Sequence, residues 1–268
     1  MADLLKRIYA SAWEHSVEAE QHEAYEAVRE RALSRTAQRR PFLDALRKSD
    51  GSAIVAEIKR ASPSAGLIAR NFDPAKIARR YDAAGADAIS ILTEQDNFLG
   101  DLAFIDIVRA VTQRPLLRKD FLSRRYDVAQ SAAYGADCIL LIVSGLEDQA
   151  LTECLDEASV YALDVLVEVH DEDDLERALA VGARFVGVNN RDLRTLATDL
   201  AVSELLLPSV PRDVFAISES GMREPEDLQR LALAGARGFL IGESLMRAED
   251  PEQFIRVLRA SLVAEHVT

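Results

Sequence analysis

The chain has 268 residues, 49% of them hydrophobic and 29% charged, which is ample material for a packed core and argues against disorder. A formal net charge of −13 opposes any broad grip on nucleic acid or an anionic membrane, since both need clustered Lys and Arg. Two cysteines rule out a disulfide framework, and the four histidines, His15, His22, His170 and His266, show no ligand spacing, so no metal is expected.

The first forty-odd residues, "ADLLKRIYASAWEHSVEAEQHEAYEAVRERALSRT", are charged and helical in pattern, with no strand, and Pro41 closes them. "RPFLDALRK" follows as a second or third helix. Residues 1–48 are therefore expected to form a helical extension, too small to fold alone, within a single domain spanning 1–268. The beginning of the chain lacks the apolar h-region of a secretory signal, and nowhere do eighteen apolar residues run together. A cytoplasmic protein without membrane contact is expected.

Short apolar strands then alternate with amphipathic helices. The strands start near Ile54, Ala88, Pro115, Cys138, Val165, Phe185, Val214 and Phe239, separated by patterns such as "PAKIARRYDAA", "DEDDLERALAVG" and "EPEDLQRLALAG". Four related stretches, "AAGADAISIL", "AAYGADCILLI", "AVGARFVGV" and "LAGARGFLI", place Gly85, Gly135, Gly182 and Gly235 about fifty residues apart, the length of two βα units. Eight such repeats predict an α/β fold of the closed (β/α)8 TIM-barrel type. A doubly wound open sheet is the alternative, weakened because no GxGxxG follows the first strand. Cys138, inside "CILLIV", and Cys154, in a helical pattern, read as packing residues.

Side chains alternate along a strand, so parity predicts which groups face the barrel interior, and catalytic groups belong at the C-terminal tips. Glu57 and Lys59 share one face of the first strand, while Ala56 and Ile58 share the other. The third strand ends with Lys119 at its tip, the fifth places Glu168 inward between Val167 and Val169, the sixth yields Asn189 and Arg191, and the seventh Glu219. Five tips thus carry polar groups, although Lys119 followed by Asp120 could also be a structural ion pair. "SESGM" and "IGESLM", after strands seven and eight, expose backbone amides, and Ser244 can open a short helix, a device suited to phosphate. "SPSAG", with Pro63 and Gly66, suits a mobile loop over the mouth.

With these residues in place, the chain resembles the indole-3-glycerol phosphate synthase family through "AEIKRASPSAGLI", "ILTEQDNFLG", "LLRKDF", "GADCILLIV", "LVEVH", "GVNNRDL", "SESG" and "IGESLM". The resemblance implies ring closure, decarboxylation and dehydration of a phosphorylated small-molecule substrate, 1-(2-carboxyphenylamino)-1-deoxyribulose 5-phosphate, with no cofactor. It implies that Lys119 is the general acid at the ketone oxygen and Glu168 its acid/base partner in dehydration. Glu57, Lys59, Asn189, Arg191 and Glu219 would support them. Ser62 would belong to the loop after the first strand. Ser220, Gly221, Gly242, Glu243 and Ser244 would surround the phosphate, with Glu243 turned outward and only its amide used. Phe98, Phe121 and Leu140 would wall the aminobenzoate ring.

Departures from the family pattern are Ala65, where a lysine is common, and "FLG" at Phe98 to Gly100. Burial and nearby Lys59 are expected to lower the pKa of Lys119 while the carboxylates resist. His170 is expected to support or cap the site. Two other functions fit parts of this pattern: an Amadori-type isomerase, which needs only one acid/base pair, and a non-catalytic barrel that binds a sugar phosphate.

Overall fold

Val, Ile, Leu and Ala dominate eight short segments whose side chains are buried on both faces, which is the condition for a parallel sheet wrapped by helices. In the computed structural model, which describes residues 4–49, 51–192 and 194–263, these segments close into one barrel; His266 lies outside the described residues. The strands are β1 (Ala53–Ile58), β2 (Ala88–Leu92), β3 (Leu116–Lys119), β4 (Cys138–Ile142), β5 (Asp164–Val169), β6 (Phe185–Asn189), β7 (Phe215–Glu219) and β8 (Gly238–Ile241). Each pairs in parallel with its neighbours, and β1 pairs with both β2 and β8. Every start falls within one residue of the sequence expectation, and the open-sheet alternative is excluded by the closure.

Three helices precede β1: α1 (Leu4–His22), α2 (Tyr25–Arg35) and α3 (Phe42–Arg47). Pro41 sits at the N-cap of α3, immediately before its first residue, Phe42. Between successive strands come α4 (Pro74–Ala83), α5 (Ala103–Arg109), α6 (Arg125–Tyr134), α7 (Asp148–Val160), α8 (Glu172–Ala180), α9 (Ala201–Leu206) and α10 (Pro225–Ala234). After β8 follow the one-turn α11 (Glu243–Arg247) and then α12 (Pro251–Val263). The N-caps are local chemistry: Asp73 accepts from the Lys76 amide, and Asp171 from the Asp174 amide.

The apolar residues divide into two clusters, as strand alternation requires. Val55, Leu117, Cys138, Leu140, Phe215 and Leu240 fill the barrel, whereas Ile54, Ile89, Leu141, Val186 and Phe239 meet the helices, together with Cys154 of α7. Phe42 of α3 packs against Phe185, which meets Phe215 edge-on, so the N-terminal extension plugs the lower end of the barrel.

The same extension reaches the upper end. Ser16 of α1 donates to Asp127 at the start of α6, Arg124 pairs with Glu20, and Tyr126 donates to the Glu23 carbonyl at 3.1 Å. These contacts hold α1 across the mouth.

Candidate active site

Glu57, Lys119, Glu168, Asn189 and Glu219 all stand at the C-terminal ends of their strands, and the barrel brings them together. Register places Asn189 opposite Glu219 and Ile142 opposite Glu168, so these ends lie at one level. Lys119 Nζ is 2.9 Å from Glu168 Oε2 and 3.1 Å from Glu219 Oε2. Lys59 Nζ is 2.5 Å from Glu57 Oε1. Asn189 donates from Nδ2 to Glu168 Oε1 at 3.0 Å, and its own Oδ1 accepts from the Arg191 amide at 3.0 Å. The two lysine side chains keep 15% of their surface exposed, against 3% or less for Glu57, Glu168 and Glu219, so the ammonium groups face the opening.

Two glycines make this density of charge possible. A Cβ at Gly187 of β6 would stand 1.9 Å from Glu219 Oε1, and one at Gly242 would stand 2.1 Å from Glu57 Oε1. Glycine is what lets each carboxylate lie flat against the neighbouring strand.

Burial would lower the pKa of Lys119, but Glu168, Glu219 and Glu57 outweigh it and raise the value above that of a free lysine. The expected lowering is therefore reversed, because Glu168 and Glu219 contact the ammonium and Glu57 adds to their field. Glu219 is pushed up to about 7, chiefly by burial and further by Glu168 and Glu57, against the pull of Lys119. One of its oxygens, Oε1, has no hydrogen-bond partner among the described residues. The alternative pairing of Lys119 with Asp120 does not form: Asp120 faces the helix layer and binds Arg118 at 2.9 Å, while its other oxygen accepts from the Phe121 amide at 2.9 Å.

These groups line a cavity of about 410 Å³. On the side of β2 to β4 it is apolar: Phe98 and Phe121 lie 6.1 Å apart, with Leu140 beside them. Sequence patterns did not reveal that Leu4, Leu5 and Ile8 of α1 complete this wall, or that Tyr9 meets Phe121 edge-on at 5.6 Å. Buried Glu94 was also missed. Its carboxylate accepts from the amides of Asn97 and Phe98 at 2.8 and 2.9 Å and so shapes the loop carrying Phe98. Leu99, within the departure "FLG", takes a left-handed backbone (φ 53°).

On the opposite side, Ser220 (φ 67°) and Gly221 (φ 87°) are both left-handed and line the cavity. α11 begins at Glu243, one residue before the expected start, with Gly242 as its N-cap. The Ser244 hydroxyl donates to the Met222 carbonyl at 2.7 Å and ties the last two loops together. The carboxylate of Glu243 pairs with Arg247 at 2.9 Å. First-turn amides of a helix lack intrahelical acceptors, which leaves this corner suited to an anion. The Arg191 guanidinium lines the cavity and donates to the Leu196 carbonyl at 3.0 Å. Ser62 is buried in the loop after β1, where its hydroxyl accepts from the Ala65 amide at 3.2 Å. His170 donates from Nδ1 to the Asn189 carbonyl at 2.8 Å, which braces the tip of β6.

A family model described as indole-3-glycerol phosphate synthase matches residues 5–258. The chain is 48% identical over 222 residues to the indole-3-glycerol phosphate synthase of Azospirillum brasilense, covering 82% of this chain and 85% of that protein. It is 42% identical over 261 residues to that of Desulfosudis oleivorans, covering 96% and 99%. Among solved structures, a thiamine phosphate pyrophosphorylase from Pyrococcus furiosus superposes with a TM-score of 0.62 at 15% identity, over 82% of this chain and all of that one. A 3-hexulose-6-phosphate synthase superposes with a TM-score of 0.59 at 20% identity, over 78% and 99%. At such identities these two share the barrel fold alone.

Proposed function

The chain belongs to the indole-3-glycerol phosphate synthase family, and from that premise we propose how its residues divide the family's reaction. The enzyme is a carboxy-lyase of tryptophan biosynthesis. It closes the ring of 1-(2-carboxyphenylamino)-1-deoxy-D-ribulose 5-phosphate, with loss of carbon dioxide and water, to give indole-3-glycerol phosphate. The observation that carries our assignment is the single ammonium held between two carboxylates at the floor of the cavity.

Lys119 donates a proton to the ketone oxygen as the ring carbon attacks. Its raised pKa keeps it charged at neutral pH, so the proton moves when alkoxide charge builds on that oxygen. Glu168 then acts as acid and base in dehydration, with one oxygen fixed by Asn189 and the other on Lys119. Glu219 balances the charge of Lys119, and Glu57 positions Lys59. Lys59 and Arg191 attract the substrate's anionic groups into an otherwise acidic protein.

The amides around Ser220, Gly221, Gly242, Glu243 and Ser244 take the phosphate. Phe98, Phe121 and Leu140 take the aminobenzoate ring, and the loop containing Ser62 closes over both. The extension and barrel act as one unit, a reading supported by the side chains that α1 contributes to the cavity. A cytoplasmic setting goes with this reading and suits the two unpaired cysteines.

Glu168→Gln separates the two proton-transfer roles. Carbon dioxide release should outrun the appearance of indole fluorescence, because a ring-closed, still hydroxylated species accumulates. Equal loss of both signals would show that Glu168 acts before ring closure and defeat the division.

A further inference from the structure

Each turnover consumes one proton from solvent. Ring closure places a proton on the ketone oxygen, departure of the new hydroxyl as water takes a second, and formation of the ring double bond returns one from the neighbouring CH2. Decarboxylation returns none, since the carboxylate leaves as carbon dioxide and its bonding pair stays with the ring. The substrate occupies the main cavity while this happens, so the mouth is an obstructed entry for the missing proton.

A second cavity, of about 200 Å³, lies against the first and shares Leu5, Ile142, Glu168, Asn189 and Arg191 with it. Apart from Val169, the residues that complete its lining are polar. The end of β5 and the start of α8 supply His170, Asp171 and Asp174, and the loop after β6 supplies Asp192 and Arg194. At about 30 Å³ per molecule it has room for several waters. The charged side chains in this lining can hydrogen-bond to water and exchange protons with it.

We propose that this side cavity is the route by which solvent protons reach Glu168, with His170 and Asp174 as its relay groups; the inference rests on the acid/base assignment of Glu168 made above. The Asn189 carbonyl can only accept, so Nδ1 of His170 carries the hydrogen and Nε2 is the nitrogen that exchanges protons. Asp174 accepts from the His170 amide at 3.2 Å, which keeps the two groups adjacent. Burial and neighbouring Asp171 push Asp174 up to about 6, against the His170 amide and the Arg177 guanidinium 3.9 Å away, so it exchanges protons near neutrality. Asp192 is held down to about 2 despite its burial, by Arg194, and stays an anion. Arg191 and Arg194 carry fixed charge and relay nothing.

His170→Asn tests the route, because the asparagine amide can still donate to the Asn189 carbonyl while the second ring nitrogen is lost. Asp174→Asn removes the other relay group. Product formation and proton uptake, the latter followed with an indicator dye, should both slow by about tenfold in single turnovers, with KM within twofold of the parent. Added imidazole should restore the rate of His170→Asn in proportion to its concentration. Unchanged rates in both variants, or a loss that no small buffer repairs, overturn the route. The role of Glu168 is judged separately by Glu168→Gln, so failure of one assignment leaves the other readable.

Discussion

Both ends of the barrel bury carboxylates beside cations, yet the two ends treat them differently. At the lower end, Asp137 precedes β4 and accepts from the amides of Arg40 and Leu116 at 2.9 Å each and from Arg109 at 2.9 and 3.0 Å. Asp87 precedes β2 and accepts from the Ile54 amide, the Ser49 hydroxyl and Arg259. Asp164 takes the Leu43 amide and so docks α3. At the upper end Glu219 keeps one oxygen without a partner among the described residues and is pushed up to about 7, chiefly by burial. A carboxylate saturated by fixed donors holds a fold together, whereas one left short of donors can change its protonation during a reaction.

Four substitutions would sharpen or break this contrast. Lys119→Met should reduce turnover by about 10² to 10⁴ while substrate binding changes far less, measured by steady-state kinetics and by titration with product. A purely structural lysine would instead leave turnover per folded molecule intact. At the other end, Asp137→Ala should cost about 3–5 kcal/mol of stability, since it takes the counter-charge from Arg109 and the acceptor from two amides. Activity per folded molecule should be unchanged, and a large loss would mean that the lower end also serves the chemistry.

Glu219→Gln addresses pH. In the folded protein Glu219 binds a proton up to about 7, but the unfolded chain releases it near 4.5. The favourable contribution of that bound proton is complete below 4.5 and lost as pH rises through 7. Thermal unfolding across pH should therefore show the variant gaining on the parent between 4.5 and 7, then holding a lead of a few degrees. A constant gap would mean that Glu219 stays ionised throughout. The smallest effect belongs to Glu243→Gln, which frees Arg247 at the rim and should lower KM by about two- to threefold at low salt, fading at high salt.

Much of the upper end was legible because strand alternation is strictly local: Glu57, Lys119, Glu168, Asn189 and Glu219 occupy positions whose parity points them inward. The lower end was present in the sequence too, as the Asp of the repeated "GAD" at Asp87 and Asp137, but a lone Asp before a strand has no signature of its own. The contribution of α1 was hidden for a different reason. Helical periodicity shows that Leu5, Ile8 and Tyr9 share a face, without saying which end of the barrel that face covers. Arg118 was likewise overlooked, and Asp120 was weighed only as a partner for Lys119, although strand parity puts it on the face of Arg118, with which it pairs.

The amino-acid order by itself determined the number of βα units, the strand starts to within a residue and the inward set of tip residues. These depend on periods of two and 3.6 that any short stretch displays. Only the closed barrel decided that Lys119 meets Glu168 and Glu219, which lie 49 and 100 residues further along the chain. It also decided that their combined charge overcomes desolvation and raises the lysine's pKa. Pairing across an enclosed interior depends on closure and register, and the field at any one atom sums over residues remote in sequence.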